Sequence, residues 1–196
     1  DHQAGPQKDG EGMKRLLLIG GPMGVGKSAV CERLLERLRP GAYLDGDWCW
    51  RRNPSTVTPE AKAMVLDNIC AVLGRFLASP EVEYVIFGWV LHQRETIDAI
   101  LARLPLAGVE VFCFSLTAPE EALLTRLRGD VAGGRRKNDG VGVRSLAYRP
   151  LYAGLGTIRI ETGERTPDEA AGAICACLAE RREFASGTDG KDGGTA

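Results

Sequence analysis

Eight consecutive residues, Gly21-Pro22-Met23-Gly24-Val25-Gly26-Lys27-Ser28, match the pattern G-x-x-x-x-G-K-S/T. Glycines at this spacing let the backbone curl until successive N–H groups point inward at phosphate oxygens. A helix opening at Lys27 adds its partial positive charge at the same spot. In such a loop Lys27 bridges the β- and γ-phosphates of a nucleoside triphosphate and Ser28 holds Mg²⁺, with Gly21 through Ala29 as the binding stretch. A Gly-rich turn matching by chance is the alternative. It is disfavoured by the strand and helix expected on either side.

A second cluster follows, Asp45-Gly46-Asp47, with Trp48, Trp50, Arg51 and Arg52 close behind. On an extended segment residues i and i+2 share a side, so both carboxylates are expected to face one cleft. A solvent-exposed turn is the competing reading. Tryptophans here suit a planar or sugar ring, or else simple packing. Arg51 and Arg52 suit an anionic group, or else a solvated helix face. A third cluster is basic. Arg126, Arg128, Arg135, Arg136, Lys137, Arg144 and Arg149 stand against Asp130 and Asp139, about +5 in a chain of net charge −1. The glycines of 129–143 and this charge fit a lid whose arginines neutralise equatorial phosphoryl oxygens and shut out water. A basic surface loop is the alternative.

Parallel strands and helices must position these residues. Lys14–Gly20, Ala42–Leu44, Glu83–Val90, Val109–Leu116 and Thr157–Glu161 read as strands. Lys27–Leu38, Pro59–Ala78, Gln93–Leu104, Thr117 to about Arg128, Arg144–Gly154 and Thr166 to about Glu183 read as helices. Thr58 before Pro59 is an N-cap, and Thr117/Glu120 and Thr166/Glu169 look like capping boxes. Strand–helix alternation five times over implies a three-layer α/β fold, a five-stranded parallel sheet between helices. On such sheets ligands gather at the carboxyl ends of the strands. The third strand ends in Phe87-Gly88-Trp89, leaving Trp89 and His92 near that cleft. A lone His there is more often structural.

The 196 residues bound the class. That length suits one domain with a core large enough to stand without staples. With 44% hydrophobic and 26% charged residues the composition is ordinary for a globular protein. The near-zero net charge speaks against bulk binding to nucleic acid. No apolar run reaches membrane-spanning length, and no apolar signal core opens the chain. Segments 1–12 and 185–196 read as disordered tails around a domain of 13–184. Six cysteines in apolar stretches read as reduced, mostly buried thiols of a cytoplasmic protein. Cys175 and Cys177 cannot chelate one ion, because i and i+2 diverge on a helix. A homodimer stays open.

On GGPMGVGKS at 20–28, LDGDWCW at 44–50 and the Arg-rich segment, the sequence resembles the P-loop kinases. The branch is the small-molecule one that includes shikimate, gluconate and adenylylsulfate kinases, and the resemblance runs from about Lys14 to Glu183. The chain also looks like bacterial proteins known only as AAA-type or nucleotide-kinase-like ATP-binding proteins, some of whose relatives resist antibiotics. The resemblance implies a P-loop fold with a short lid, ATP and Mg²⁺, and transfer of the γ-phosphate to a hydroxyl or phosphate of a small acceptor: a nucleoside or nucleotide, a sugar-like compound or an antibiotic. Its rival is an NTP-binding regulatory or resistance protein that hydrolyses ATP slowly. The resemblance assigns Lys27, Asp47 and Arg135 to catalysis, Ser28 and Asp45 to the metal, and Arg128 to the adenine. It assigns Asp47 to the acceptor hydroxyl, Arg135 or Arg136 to the phosphates, and Arg144 and Arg149 to phosphate or acceptor, while position beside the cleft suggests Trp48, Arg51 and Trp89 for the acceptor. The third strand departs from the usual pattern by lacking a terminal acid, which shifts weight for the metal onto Asp45.

Overall fold

In the computed structural model, which describes residues 13–186, apolar runs bounded by glycine and proline become the strands. β1 is Lys14–Gly20, β2 Gly41–Asp45, β3 Tyr84–Gly88, β4 Val109–Thr117 and β5 Ile158–Glu161. All pair in parallel in the order β2-β3-β1-β4-β5. β1 lies in the middle, where Leu16 through Ile19 are fully buried, as a strand covered on both faces requires.

The two-residue alternation of β1 splits the core into two layers. Leu17 and Ile19 pack with Val30, Cys31 and Leu34 of α1 (Lys27–Arg37) and with Ile174 and Leu178 of the C-terminal helix. Leu16 and Leu18 face the other way, onto Val65, Ile69 and Leu73 of α2 (Pro59–Ala78) and Ile97 and Ile100 of α3 (Arg94–Leu101). The remaining helices are α4 (Glu120–Ala132), α5 (Val141–Tyr148) and α6 (Pro167–Ser186). Two 3₁₀ segments, Gly46–Trp50 and Arg149–Gly154, complete the elements. The result is the three-layer α/β fold expected. No helix among the described residues is long and apolar enough to cross a membrane.

Side-chain caps open two of the described helices, α2 and α6. Thr58 Oγ1 accepts from Ala61 N at 3.1 Å ahead of Pro59. Thr166 and Glu169 form the reciprocal box, with Thr166 N donating to Glu169 Oε2 at 2.8 Å and Glu169 N to Thr166 Oγ1 at 3.2 Å. The box expected at Thr117/Glu120 is absent: Pro119 precedes α4 and the Thr117 hydroxyl donates to Glu161 across the β4–β5 ladder. β4 runs on to Thr117, so that side chain serves the sheet edge.

Other boundaries move as well. β2 extends to Asp45, while β3 stops at Gly88 and α3 spans less than 93–104. The segment 129–143 is less irregular than its glycines suggest. α4 continues through Gly129 to Ala132 and α5 begins at Val141, which leaves Gly133–Gly140 between them. The helix expected over 144–154 divides at Arg149, where Pro150 forces a tighter turn. The six cysteines are unpaired; Cys31 and Cys70 are buried and the other four only half-buried. The expectations for 1–12 and 187–196 lie outside the described residues, and 185–186 finish α6.

Candidate active site

The carboxyl ends of β1, β2 and β3 meet at one cleft. From β1 the chain turns through Gly21–Gly26 into α1. Gly26, at φ 99°, sits in the left-handed region where glycine is at home and points the first turn of α1 at the cleft. Neither a side-chain cap nor an acid occupies that helix start, so its N–H groups are left for an anion. Lys27 Nζ donates to the carbonyls of Gly21 at 2.8 Å and Pro22 at 3.0 Å. Burial holds its pKa down to about 8, and nearby Arg136 adds to this, against the pull of Asp47, Cys31 and Asp45.

The structure brings Ser28 and Asp45 together. Ser28 Oγ donates to Asp45 Oδ2 at 2.9 Å, and Tyr43 Oη donates to the same oxygen at 3.1 Å. Asp45 Oδ1 accepts from Asp47 N at 2.9 Å and so caps the 3₁₀ turn. This corrects the expectation of two carboxylates on one extended strand. Asp45 ends β2, whereas Asp47 lies inside the turn and reaches the cleft by helical rotation.

Asp47 lines the cleft with Lys27 and opens to solvent on that side. The protein crowding its other sides raises its pKa and Asp45 adds to this, while Lys27, the Trp89 indole and Arg136 oppose. Trp89 packs across Gly46: a Cβ at Gly46 would lie 2.4 Å from Trp89 Cγ. The register explains the meeting, because Asp45 pairs with Gly88 and the next residue on each strand faces the other. Gly46→Ala is therefore expected to cost about 1–3 kcal/mol through overpacking, read as a lower urea midpoint at unchanged slope.

The cleft holds about 680 Å³. Trp50, Trp89 and Leu66 give it apolar walls, and Lys62, Arg136 and Arg144 give it positive charge. His92 lines it too, stacked on Tyr148 with ring centroids 4.0 Å apart, and burial lowers its pKa. α5 is tied to the phosphate loop by Ser145 Oγ, which donates to Met23 O at 2.6 Å, and the following turn is tied to the segment after β3 by Tyr152 Oη, which donates to Val90 O at 2.5 Å. Leu91, at φ 39°, holds the segment after β3 in a conformation uncommon for a branched side chain.

Several expected residues lie elsewhere. Trp48 is exposed and tilts against Tyr43, 5.6 Å between centroids, while Trp50, one helical step away, takes the cleft wall. Arg51 is exposed and outside the lining. Arg135 pairs with Asp130 at 3.0 Å, and its neighbour Arg136 faces the cleft. Arg144 does line the cleft but is held by Asp139 at 2.8 Å. Arg149 Nε donates to Ala118 O at 2.9 Å, on the far side of the sheet end. Arg128 borders an apolar hollow between α4 and α5. It is Arg126, two positions earlier, that reaches the phosphate loop, donating to Val25 O at 3.3 Å, Thr162 O at 2.6 Å and Gly163 O at 3.0 Å. A helix turns about 200° over two residues, so only one of the pair can face inward; the buried Leu123 and Leu127 were the signal that settled which.

A phosphate loop opening α1, a carboxylate opposite its lysine and arginines carried between α4 and α5 together define a P-loop kinase. A family profile described as an AAA domain matches residues 17–141. An adenylate kinase of Methylorubrum extorquens is 31% identical over 202 residues, covering 88% of this chain and 99% of that protein. The chain belongs to the AAA-domain family, in its P-loop kinase branch, and is an ATP-dependent phosphotransferase acting on a small molecule. Solved structures share the fold, two of them as follows. A gluconokinase from Sinorhizobium meliloti 1021 superposes with TM-score 0.64 at 18% identity over 89% of this chain and 98% of its own. A Deinococcus radiodurans tunicamycin resistance protein gives 0.60 at 21% identity over 84% and 95%.

Proposed function

We propose that the chain moves the γ-phosphoryl group of ATP to a hydroxyl of a small acceptor bound beside Asp47. The observation that carries this is the Asp47 carboxylate on the wall of the cleft that Lys27 also lines. A carboxylate accepts a hydroxyl proton and aligns its oxygen. It repels an incoming phosphate by about 1 to 4 kcal/mol at 4 Å, depending on the effective dielectric. A hydroxyl acceptor is thereby favoured over the nucleotide phosphate suggested by the adenylate kinase relative.

The other roles follow the geometry. Residues 21–29 cradle the phosphates, with Lys27 drawn from its loop carbonyls onto them. Arg126 and the groove bordered by Val25, Thr162, Arg165 and Pro167 take the adenine end, the guanidinium offering a flat cationic face. Arg136 brings charge from the segment before α5 and Arg144 from α5 itself, and closing on ATP requires Arg144 to exchange Asp139 for phosphate. Trp50, Trp89 and Lys62 surround the acceptor.

Mg²⁺ fits the oxygens of Ser28 and Asp45, hard donors beside the loop, with phosphate and water supplying the remaining ligands. Among the described residues no group of three His, Cys, Asp or Glu gathers to hold a metal alone. Bound there, Mg²⁺ would supply charge neutralisation on the phosphates. We place the reaction in the cytoplasm, where ATP and reduced thiols coexist.

The reading is tested by a thermal-shift screen with ADP and Mg²⁺ against two sets of compounds, phosphate-free hydroxyl compounds and nucleoside monophosphates. Stabilisation that rises with concentration is expected from the first set. Stabilisation by monophosphates alone would overturn the hydroxyl assignment.

A further inference from the structure

We infer that Tyr43 is a positioning residue for the metal-side carboxylate, and that Tyr43 with Asp45 makes good on β2 the acid that β3 lacks. The inference rests on the assignment of Asp45 to the metal made above.

The β2–β3 register sets Asp45 directly beside Gly88, the last residue of β3. The space above Gly88 is taken. A Cβ there would lie 2.9 Å from Cys31 Sγ and 3.4 Å from Tyr43 Oη. An acid on β3 at this position would need the room that the tyrosine and cysteine fill. Tyr43 and Asp45 are i and i+2 on an extended strand, so both side chains stand on the α1 face, while Leu44 between them enters the opposite core. The tyrosine ring is buried against Cys31 and covered at its edge by Trp48, which gives that exposed tryptophan a use away from the acceptor.

The hydrogen bonds say what the arrangement does. Asp45 Oδ2 accepts from both Ser28 Oγ at 2.9 Å and Tyr43 Oη at 3.1 Å, and Oδ1 accepts from Asp47 N at 2.9 Å. Three of about four lone-pair directions of the carboxylate are thereby engaged and its plane is fixed. Because Ser28 spends its proton on Asp45, its oxygen lone pairs are turned outward, the orientation a hard cation needs. Tyr43 fixes Asp45, Asp45 fixes Ser28, and Ser28 meets the ion. Outer partners of this kind typically carry a tenfold or larger share of metal affinity.

Tyr43→Phe removes one oxygen and keeps the ring that packs in the core. Mn²⁺ is titrated into the protein with ADP bound and free ion is read by electron paramagnetic resonance. ADP affinity without metal is measured beside it. Tyr43→Phe is expected to weaken Mn²⁺ about tenfold and to leave metal-free ADP affinity within about twofold of wild type. In an Asp45→Asn background it should add less than about twofold, since both act on one chain of contacts. Wild-type Mn²⁺ affinity in Tyr43→Phe, with Asp45→Asn weakened, overturns the inference alone. Wild-type Mn²⁺ affinity in Asp45→Asn overturns the metal assignment itself and the inference with it.

Discussion

Lys27→Ala is expected to abolish nucleotide-dependent stabilisation while leaving the domain folded. The side chain contributes little to the fold, since its hydrogen bonds are to the loop carbonyls of Gly21 and Pro22, and α1 is anchored by Val30, Cys31 and Leu34. Toward ATP it supplies the one full positive charge on the phosphate loop. Losing a charge-assisted contact to phosphate in a half-buried site should weaken MgATP by about 10²-fold or more, near 3 kcal/mol. A ligand at 100 times its Kd stabilises by about 2.7 kcal/mol, so that shift in melting temperature nearly vanishes in the variant. The pH dependence is a second signature. Burial lowers the Lys27 pKa to about 8. Below pH 8 the ammonium is present and binds phosphate; above it the charge is lost, and affinity falls as pH rises through that value. Bound phosphate restores the ammonium, so ATP binding near pH 8 takes up a proton in wild type and less in Lys27→Ala. Calorimetry in buffers of different ionisation enthalpy reads this directly. Unchanged MgATP affinity in the variant would remove the phosphate role of the loop.

The strand, loop and helix over residues 14–37 were legible because the loop is shaped by backbone and by contiguous residues. A run such as Gly21–Ser28 brings its own geometry once a strand precedes it and a helix follows. The sheet was legible for the same kind of reason. Leu16 to Ile19 is apolar without a break because β1 is covered on both faces, and no other element type accounts for so short a run ending in glycines. Arginines were another matter. Arg126 and Arg128, or Arg135 and Arg136, are indistinguishable as sequence; which of the first pair reaches the loop depends on helix phase, and which of the second faces the cleft depends on acids such as Asp130 that pair locally. Helix phase was recoverable from Leu123 and Leu127; the pairing of Arg135 with Asp130 was not, since it depends on how the chain bends after Gly133. Asp47 is not brought to the cleft by extended backbone. It arrives there because Asp45 caps a 3₁₀ turn, a local hydrogen bond that competes with continuing the strand. Tyr43 is not legible in the sequence because its use needs α1 folded against β2, where its hydroxyl and that of Ser28 meet on Asp45.

Asp47→Asn should lower turnover by about 10²-fold or more while ATP binding is nearly retained. The substitution keeps the volume and one oxygen that can accept from the Trp89 indole, and the charge is lost. ATP affinity barely moves because the phosphate contacts belong to residues 21–28. Turnover falls because the carboxylate both takes the acceptor proton and aligns its oxygen with the γ-phosphorus. In a loose transition state that proton leaves late, so alignment carries much of the effect and a strongly raised pKa is not required. The crowded setting and Asp45 nevertheless hold the Asp47 pKa above the ordinary carboxylate value. The ionised form is the active one, so wild-type turnover drops as pH falls through that raised value, and the drop begins at a higher pH than an exposed aspartate would give. Asp47→Asn should flatten this acid limb, since the group that titrates there is gone. Asp45→Asn separates the two acids: it should raise the Mg²⁺ concentration needed for half-maximal rate and keep an acid limb, moved to lower pH because the Asp45 charge no longer raises the Asp47 pKa. The measurement is initial rates with the acceptor found in the screen, across pH and Mg²⁺, for wild type and both variants, with kcat and KM resolved. A wild-type rate in Asp47→Asn would make the carboxylate a bystander and turn attention to His92, which lines the same cleft and whose pKa burial lowers, leaving it a neutral base at physiological pH.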